Sequence, residues 1–241
     1  METATPQPLA NNHISVDCAV IGFDGENLRA LLVKRRGEDT AGEYNDFKLP
    51  GSLIYRDEDL DAAASRVLYE LTGVKDIALT QFKVYGSRDR TRNIRDVHWL
   101  ERAQQAKVDR IVTVAYFAIV KLDQAIQRTI DHDRAVWVPV NTVGQLAFDH
   151  NAILTDALSA IRREADNNRA ILFDLLPKKF TASQLRMLTE IVYDRPLDVR
   201  NFHKKIALMP YVVPLDEHEK GVAHRAARYY KFDRKSYNNA R

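Results

Sequence analysis

The chain has 241 residues, 45% of them hydrophobic, and a formal net charge of +3, which suits one large or two ordinary globular domains. Its single cysteine, Cys18, excludes a disulfide framework and fits a reducing cytoplasm. No apolar run approaches the length of a membrane helix, and Met1–Asn12, polar with two prolines, lacks the order of a secretory leader and reads as a flexible tail. The charge is unevenly spread: residues 168–241 hold fifteen Lys and Arg against eight Asp and Glu, a net of +7, so with +3 overall residues 1–167 carry −4. A basic C-terminal part fits nucleic acid or another anionic surface, although charge alone does not separate that from a solvated basic face.

In chain order, the apolar runs Ile14–Phe23 and Leu28–Arg35 predict strands joined by a hairpin turn at Asp24-Gly25-Glu26-Asn27. A helix follows over Asp57–Leu71 and stops at Gly73. Leu79–Tyr85, Ile111–Val120 and Ala135–Val140 read as strands, and the charged stretch Asn93–Asp109 as a surface loop or short helix without an assigned role. Asp149–Glu164 sets Ile153, Leu154, Ala157, Leu158 and Ile161 at helical spacing and would link two domains across a polar break at Asp166–Asn168.

Beyond the break, Thr181 and Gln184 form a capping box, with Phe180 and Leu185 as its hydrophobic staple. That helix buries Leu185, Leu188, Ile191 and Val192. A second, capped by Asp198, buries Val199, Phe202, Ile206 and Met209 and turns Arg200, Asn201, His203, Lys204 and Lys205 outward. Pro210 ends it. Tyr211–Val213, a polar loop at Asp216–Gly221 and the returning run Arg225–Phe232 then complete a helix-turn-helix with a β-hairpin wing.

Between Ser52 and Val74 the chain follows the spacing of a Nudix box, G-x5-E-x7-R-E-U-x-E-E-x-G-U, where U is bulky and aliphatic. Glu58, Arg66, Leu68, Glu70, Gly73 and Val74 match; Ser52, Val67 and Leu71 replace the first glycine and two acidic positions. Magnesium needs several oxygen ligands in near-octahedral geometry. One or two remaining carboxylates make a weak site, so neither a metal nor another cofactor is expected.

The whole pattern resembles the Nudix-related transcriptional regulators of NAD metabolism. The resemblance rests on Lys48-Leu-Pro-Gly51, the altered box, Val112–Val120, Phe148-Asp-His150, Leu175-Leu-Pro177, Phe180-Thr181, Pro196–Phe202 and Arg228–Phe232. It implies an α/β Nudix fold, a mixed sheet between helices, followed by an α+β winged helix-turn-helix domain. The expected layout is a tail (1–12), an effector domain (13–148), a linking helix (149–167) and a DNA-binding domain (168–241). It also implies a homodimeric repressor whose Nudix domain senses ADP-ribose or a related metabolite and whose grip on double-stranded operator DNA weakens when that ligand binds.

Ligand contacts are expected from Arg35, Arg36, Lys48, Glu58 and Glu70, and from Arg88, Asp89, Arg90 and Arg92, which resemble the family's arginine-rich loop. Arginine forks suit a diphosphate where magnesium cannot be held, though each could equally be a surface charge. On the DNA side, Thr181, Ser183 and Gln184 begin the first helix. Arg200, Asn201, His203 and Lys204 would face the major groove, and Lys205, Arg225, Arg228 and Lys231 the phosphates. The competing class is a magnesium-dependent ADP-ribose or nucleotide-sugar pyrophosphatase with an accessory domain.

Overall fold

The computed structural model describes residues 10–39, 42–104, 107–108, 110–221 and 226–239. Strands β1 (Ala10–Phe23), β2 (Leu28–Asp39), β3 (Gly42–Lys48) and β4 (Gly51–Tyr55) precede helix α1 (Leu60–Thr72). Next come β5 (Thr80–Tyr85), a 3-10 turn at Arg88–Thr91, α2 (Ile94–Gln104), β6 (Val112–Lys121), α3 (Gln124–Thr129), β7 (Ala135–Pro139) and α4 (His150–Asn167). The remainder is α5 (Ala170–Leu175), β8 (Phe180–Thr181), α6 (Ala182–Tyr193), α7 (Val199–Ala207), β9 (Val212–His218), β10 (Arg228–Phe232) and α8 (Arg234–Asn239).

The first seven strands make one mixed sheet, ordered β3-β2-β1-β6-β5, with β4 also paired to β1 and β7 to β2. Strand periodicity sorts its side chains. Val16, Cys18 and Val20 of β1, with Val114, Tyr116 and Ala118 of its parallel neighbour β6, join the core that holds Val67 and Leu68 of α1. Ala19, Ile21, Phe23, Ala115 and Phe117 point the other way, into the core of α4. Two glycines permit close approaches. A Cβ on Gly51 would lie 1.8 Å from Asp17 Oδ1, and Gly73 ends α1 at φ 79° with its Cβ position 2.1 Å from the Thr129 carbonyl.

The second core does not stop at the polar break. Ile153, Ala157 and Ile161 of α4 share one buried cluster with Leu172 and Phe173 of α5, Leu185 and Leu188 of α6, and Phe202 and Ile206 of α7. Asp166–Asn168 ends a helix without dividing the core. The C-terminal part sets helices α5 to α8 against a small sheet ordered β8-β10-β9, a winged helix.

Several elements depart from expectation. α1 starts at Leu60 because Asp59 caps it, accepting from Ala62 N–H at 2.8 Å. β3 and β4 were not foreseen, since neither alternates cleanly in sequence. Residues 94–104 form α2, and β9 runs to His218 through part of the expected wing loop because β10 pairs with it. The capping box is complete: Thr181 Oγ1 accepts from Gln184 N–H and Gln184 Oε1 from Thr181 N–H. Thr181→Ala is expected to lower stability by about 1 kcal/mol in urea unfolding and to leave DNA affinity unchanged, because the hydroxyl is spent on the helix. No helix is long and apolar enough to cross a membrane among the described residues.

Candidate functional sites

The altered box folds around one arginine. Arg66 Nε donates to Glu58 Oε2 at 2.8 Å and Nη1 to Glu70 Oε2 at 2.9 Å, while its guanidinium lies 3.7 Å from the Tyr55 ring centroid. Arg66 holds the Glu58 carboxyl below its ordinary range. Val67 is fully buried in the helix–sheet core and Leu71 packs against it, whereas the Glu70 side chain is 49% exposed. The three positions therefore do not face one metal site together: the aliphatics complete the core and the acid points out beside Arg66.

The cations expected to hold a ligand divide into two groups. Arg36, Arg88 and Arg92 are exposed, as is the acid Asp89, 3.8 Å from Arg92. Arg35, Lys48 and Arg90 are buried, and their charges are already met. Arg35 donates to Asp46 at 2.7 Å and pairs with Asp96 of α2; those two partners, working against burial, raise its pKa. Lys48 Nζ donates to the Gly51 carbonyl at 2.6 Å, and burial pushes it down to about 8. Arg90 bridges Asp17 of β1 at 2.8 Å and Asp149, just before α4, at 2.7 Å. Arg35 and Arg90 are thereby engaged in ion pairs inside the fold, and the Lys48 ammonium in hydrogen bonds to the Leu49 and Gly51 carbonyls. Asp96, unremarked in sequence, also accepts the Phe148 N–H at 2.8 Å, so α2 pins the chain entering α4.

His150 opens α4 inside this network. Its Nδ1 accepts the Leu49 N–H at 2.9 Å, which leaves the ring proton on Nε2, 3.4 Å from Asp17 Oδ1. Burial drives its pKa to about 3 although Asp17 pulls the other way. The native state thus keeps it neutral while the unfolded chain protonates it below about pH 6.5. Its stabilisation is present above that pH and is lost as pH falls toward 3. Between pH 7 and pH 5 the free energy of unfolding is expected to fall by about 2 kcal/mol. Urea titrations at both pH values should show it, and His150→Gln should flatten the slope.

An open cleft of about 1140 Å³ lies at the start of α1 between the ends of β1, β4, β5 and β6. Ile14, Ile54, Leu60, Val112 and Val114 give it an apolar lining, and His13, Gln81 and Arg110 supply polar groups beside Glu58 and Asp61. Of the residues singled out in sequence only Glu58 lies there. Arg110 also donates to the Gly86 carbonyl at 2.8 Å, which sets the cleft beside the loop that carries Arg88 and Arg92. The signal for His13, Gln81 and Arg110 was absent locally, because three separate strands bring them together.

At the opposite end, α7 buries Phe202 and Ile206 and exposes Arg200, Asn201, His203, Lys204 and Lys205. Asp198 caps it through Asn201 N–H at 2.8 Å. Val199, expected inside, is 53% exposed at its first turn. Ser183 is exposed; Thr181 is buried and Gln184 half-buried, both committed to the cap rather than to DNA. Arg228 donates to the Leu215 carbonyl at 2.8 Å and pairs with Asp216 at 2.9 Å, which ties the two wing strands together. Lys231 stays exposed, and Arg225 lies outside the described residues.

Comparison with known proteins agrees with this geometry. Residues 11–158 match the NUDIX domain family, and residues 172–232 match the NrtR DNA-binding winged helix domain. A curated relative, the ADPR responsive transcriptional repressor NtrR of Acinetobacter baylyi, is 27% identical over 238 residues, covering 97% of this chain and 85% of the relative. The solved structure of Shewanella oneidensis NrtR complexed with a 27mer DNA superposes with a TM-score of 0.65 at 22% identity, covering 93% of this chain and 95% of that one. A MutT/nudix family protein from Enterococcus faecalis gives 0.58 at 19% identity, covering 97% and 90%. Both structural likenesses speak to the fold.

Proposed function

We propose that this chain, which belongs to the Nudix family and ends in a winged helix of the NrtR type, is a ligand-responsive transcriptional repressor. Its Nudix part binds ADP-ribose or a related metabolite of NAD without efficient hydrolysis, and its winged helix binds operator DNA. The observation that carries the reading is the single hydrophobic cluster running from Ile21 in the sheet through Ile153 and Ile161 of α4 to Phe202 and Ile206 of the basic helix α7. That cluster offers a contiguous packed route between the sheet and α7, the physical connection that a sensor fused to a reader requires. The response of the Acinetobacter baylyi relative to ADPR is the ground for the choice of ligand.

In this reading the cleft at the start of α1 receives the ligand, with Arg110, Arg88, Arg92 and Arg36 as candidate cations for its diphosphate and the apolar strand ends for its adenine. Arg35, Lys48 and Arg90 shape the ground beneath. Glu58 and Glu70 are occupied by Arg66, and with Val67 and Leu71 in the core the box offers too few oxygens for magnesium catalysis. Two copies acting in the cytoplasm would present two α7 helices roughly 34–36 Å apart, one turn of duplex. Ligand binding that tilts α4 would disturb that spacing.

The deciding experiment pairs a gel shift with a hydrolysis assay. ADP-ribose is expected to release bound DNA in a saturable way while remaining intact for hours with Mg2+. Brisk Mg2+-dependent turnover that Glu70→Gln abolishes would sink the non-catalytic reading, and DNA binding indifferent to any NAD metabolite would sink the sensing one.

A further inference from the structure

Between α5, α6 and α7 the winged helix holds a second space, a partly open pocket of about 160 Å³. Its walls are apolar, formed by Phe173 of α5, Leu185 of α6 and Phe202 of α7, with Leu197, Met209 and Tyr211 at the ends. Helical cores normally pack with few voids larger than a water molecule, and a dry apolar void of about 150 Å³ accepts a benzene ring. The mouth has a different character. Arg169, Arg195 and Lys205 stand around it, all exposed, and none makes a side-chain ion pair among the described residues. Arg195 lies 5.4 Å from the Tyr193 ring centroid. One acid, Asp166, also lines the pocket, so the rim carries three cations against one carboxylate.

An apolar chamber the size of one ring, with three cations against one acid at its entrance, favours a flat molecule carrying one negative charge. We propose that this cavity is a binding site for a small aromatic monocarboxylate. The ring fills the space between Phe173, Leu185 and Phe202, and the carboxylate meets Arg169, Arg195 and Lys205 at the mouth. Arginine forks favour a carboxylate over other polar ends. The site is separate from the cleft beside α1 and sits inside the helix-turn-helix. Because Lys205 belongs to α7, an occupant engages the same helix that carries the basic face, giving the DNA-binding half its own chemical input.

Benzoate titrated into the full chain, read by thermal unfolding and by saturation-transfer NMR, tests the site without DNA. The expected result is saturable binding with a rise in Tm. Benzylamine, the same ring with the opposite charge, should give none. The double substitution Arg169→Gln with Arg195→Gln, at the surface, should weaken benzoate at least about tenfold and leave the Tm of the free protein unchanged. Leu197→Trp should abolish binding by filling the chamber. Equal response to benzoate and benzylamine, no saturable binding, or affinity indifferent to the arginine pair would overturn the proposal; if Leu197→Trp fails to fold, the arginine pair decides. With no DNA present, a negative result here leaves the repressor reading standing, and failure of that reading leaves this site standing.

Discussion

Arg90→Met is expected to lower the free energy of unfolding by about 3–5 kcal/mol. The side chain is buried, with one nitrogen 2.8 Å from Asp17 and the other 2.7 Å from Asp149. Deleting it leaves two carboxylates in a poorly solvated space. Asp17 keeps the buried Lys48 ammonium nearby and the His150 ring N–H 3.4 Å away, and its pKa stays below the ordinary value against the pull of burial. Asp149 has less help: burial already raises its pKa with Arg90 present. It would take up a proton in the variant, so the loss should shrink at low pH. Arg90→Lys should recover only part of the stability, because one ammonium cannot reach both acids in the way a planar fork does. Urea unfolding of the two variants, with Asp149→Asn to close a double-mutant cycle, measures it. A loss below about 1 kcal/mol for Arg90→Met would mean that the guanidinium is not committed to the fold, and the ligand role first expected for it would return.

That expectation shows where sequence reading reaches its limit. Arg88-Asp89-Arg90-Thr91-Arg92 looks like five consecutive surface residues, and nothing local separates the middle arginine from its neighbours. Its partners lie 73 and 59 residues away, and only the parallel pairing of β1 with β6 and the seating of α4 bring them in. Arg35 likewise meets Asp96 across 61 residues, whereas Lys48 turns onto the nearby Leu49 and Gly51 carbonyls and Arg228 meets Asp216 on a wing strand twelve residues back. Features whose causes are local were legible: the spacing of the box, the capping of α6 by Thr181 and Gln184, and the division of α7 into Phe202 and Ile206 against Arg200 and Lys204. Val67 lies between these cases. The box spacing flagged it as a lost acid, but only the sheet behind α1 shows that a carboxylate there would now stand in an apolar core beside Cys18 and Ala64.

For the basic helix, Arg200→Ala and Lys204→Ala are each expected to weaken operator binding by about 1–3 kcal/mol, roughly five- to 150-fold. Positions 200 and 204 are one turn apart on the exposed face of α7, clear of Phe202 and Ile206. Neither side chain has an ion-pair partner among the described residues, so truncation strands no buried group and the unfolding midpoint should hold within error. The pair also separates two kinds of contact. If Arg200 reads a guanine edge, its loss relaxes preference at one base pair and leaves the salt dependence nearly intact. A lysine on phosphate instead weakens all sequences alike and reduces the slope of log K against log salt by about one. Arg228→Ala is the contrasting case: because its guanidinium is held by Asp216 and the Leu215 carbonyl, it should act mainly through the wing's stability. Gel shifts at fixed salt, repeated at several concentrations, distinguish these outcomes. Unchanged affinity in both α7 variants would move the DNA-binding surface off this helix altogether.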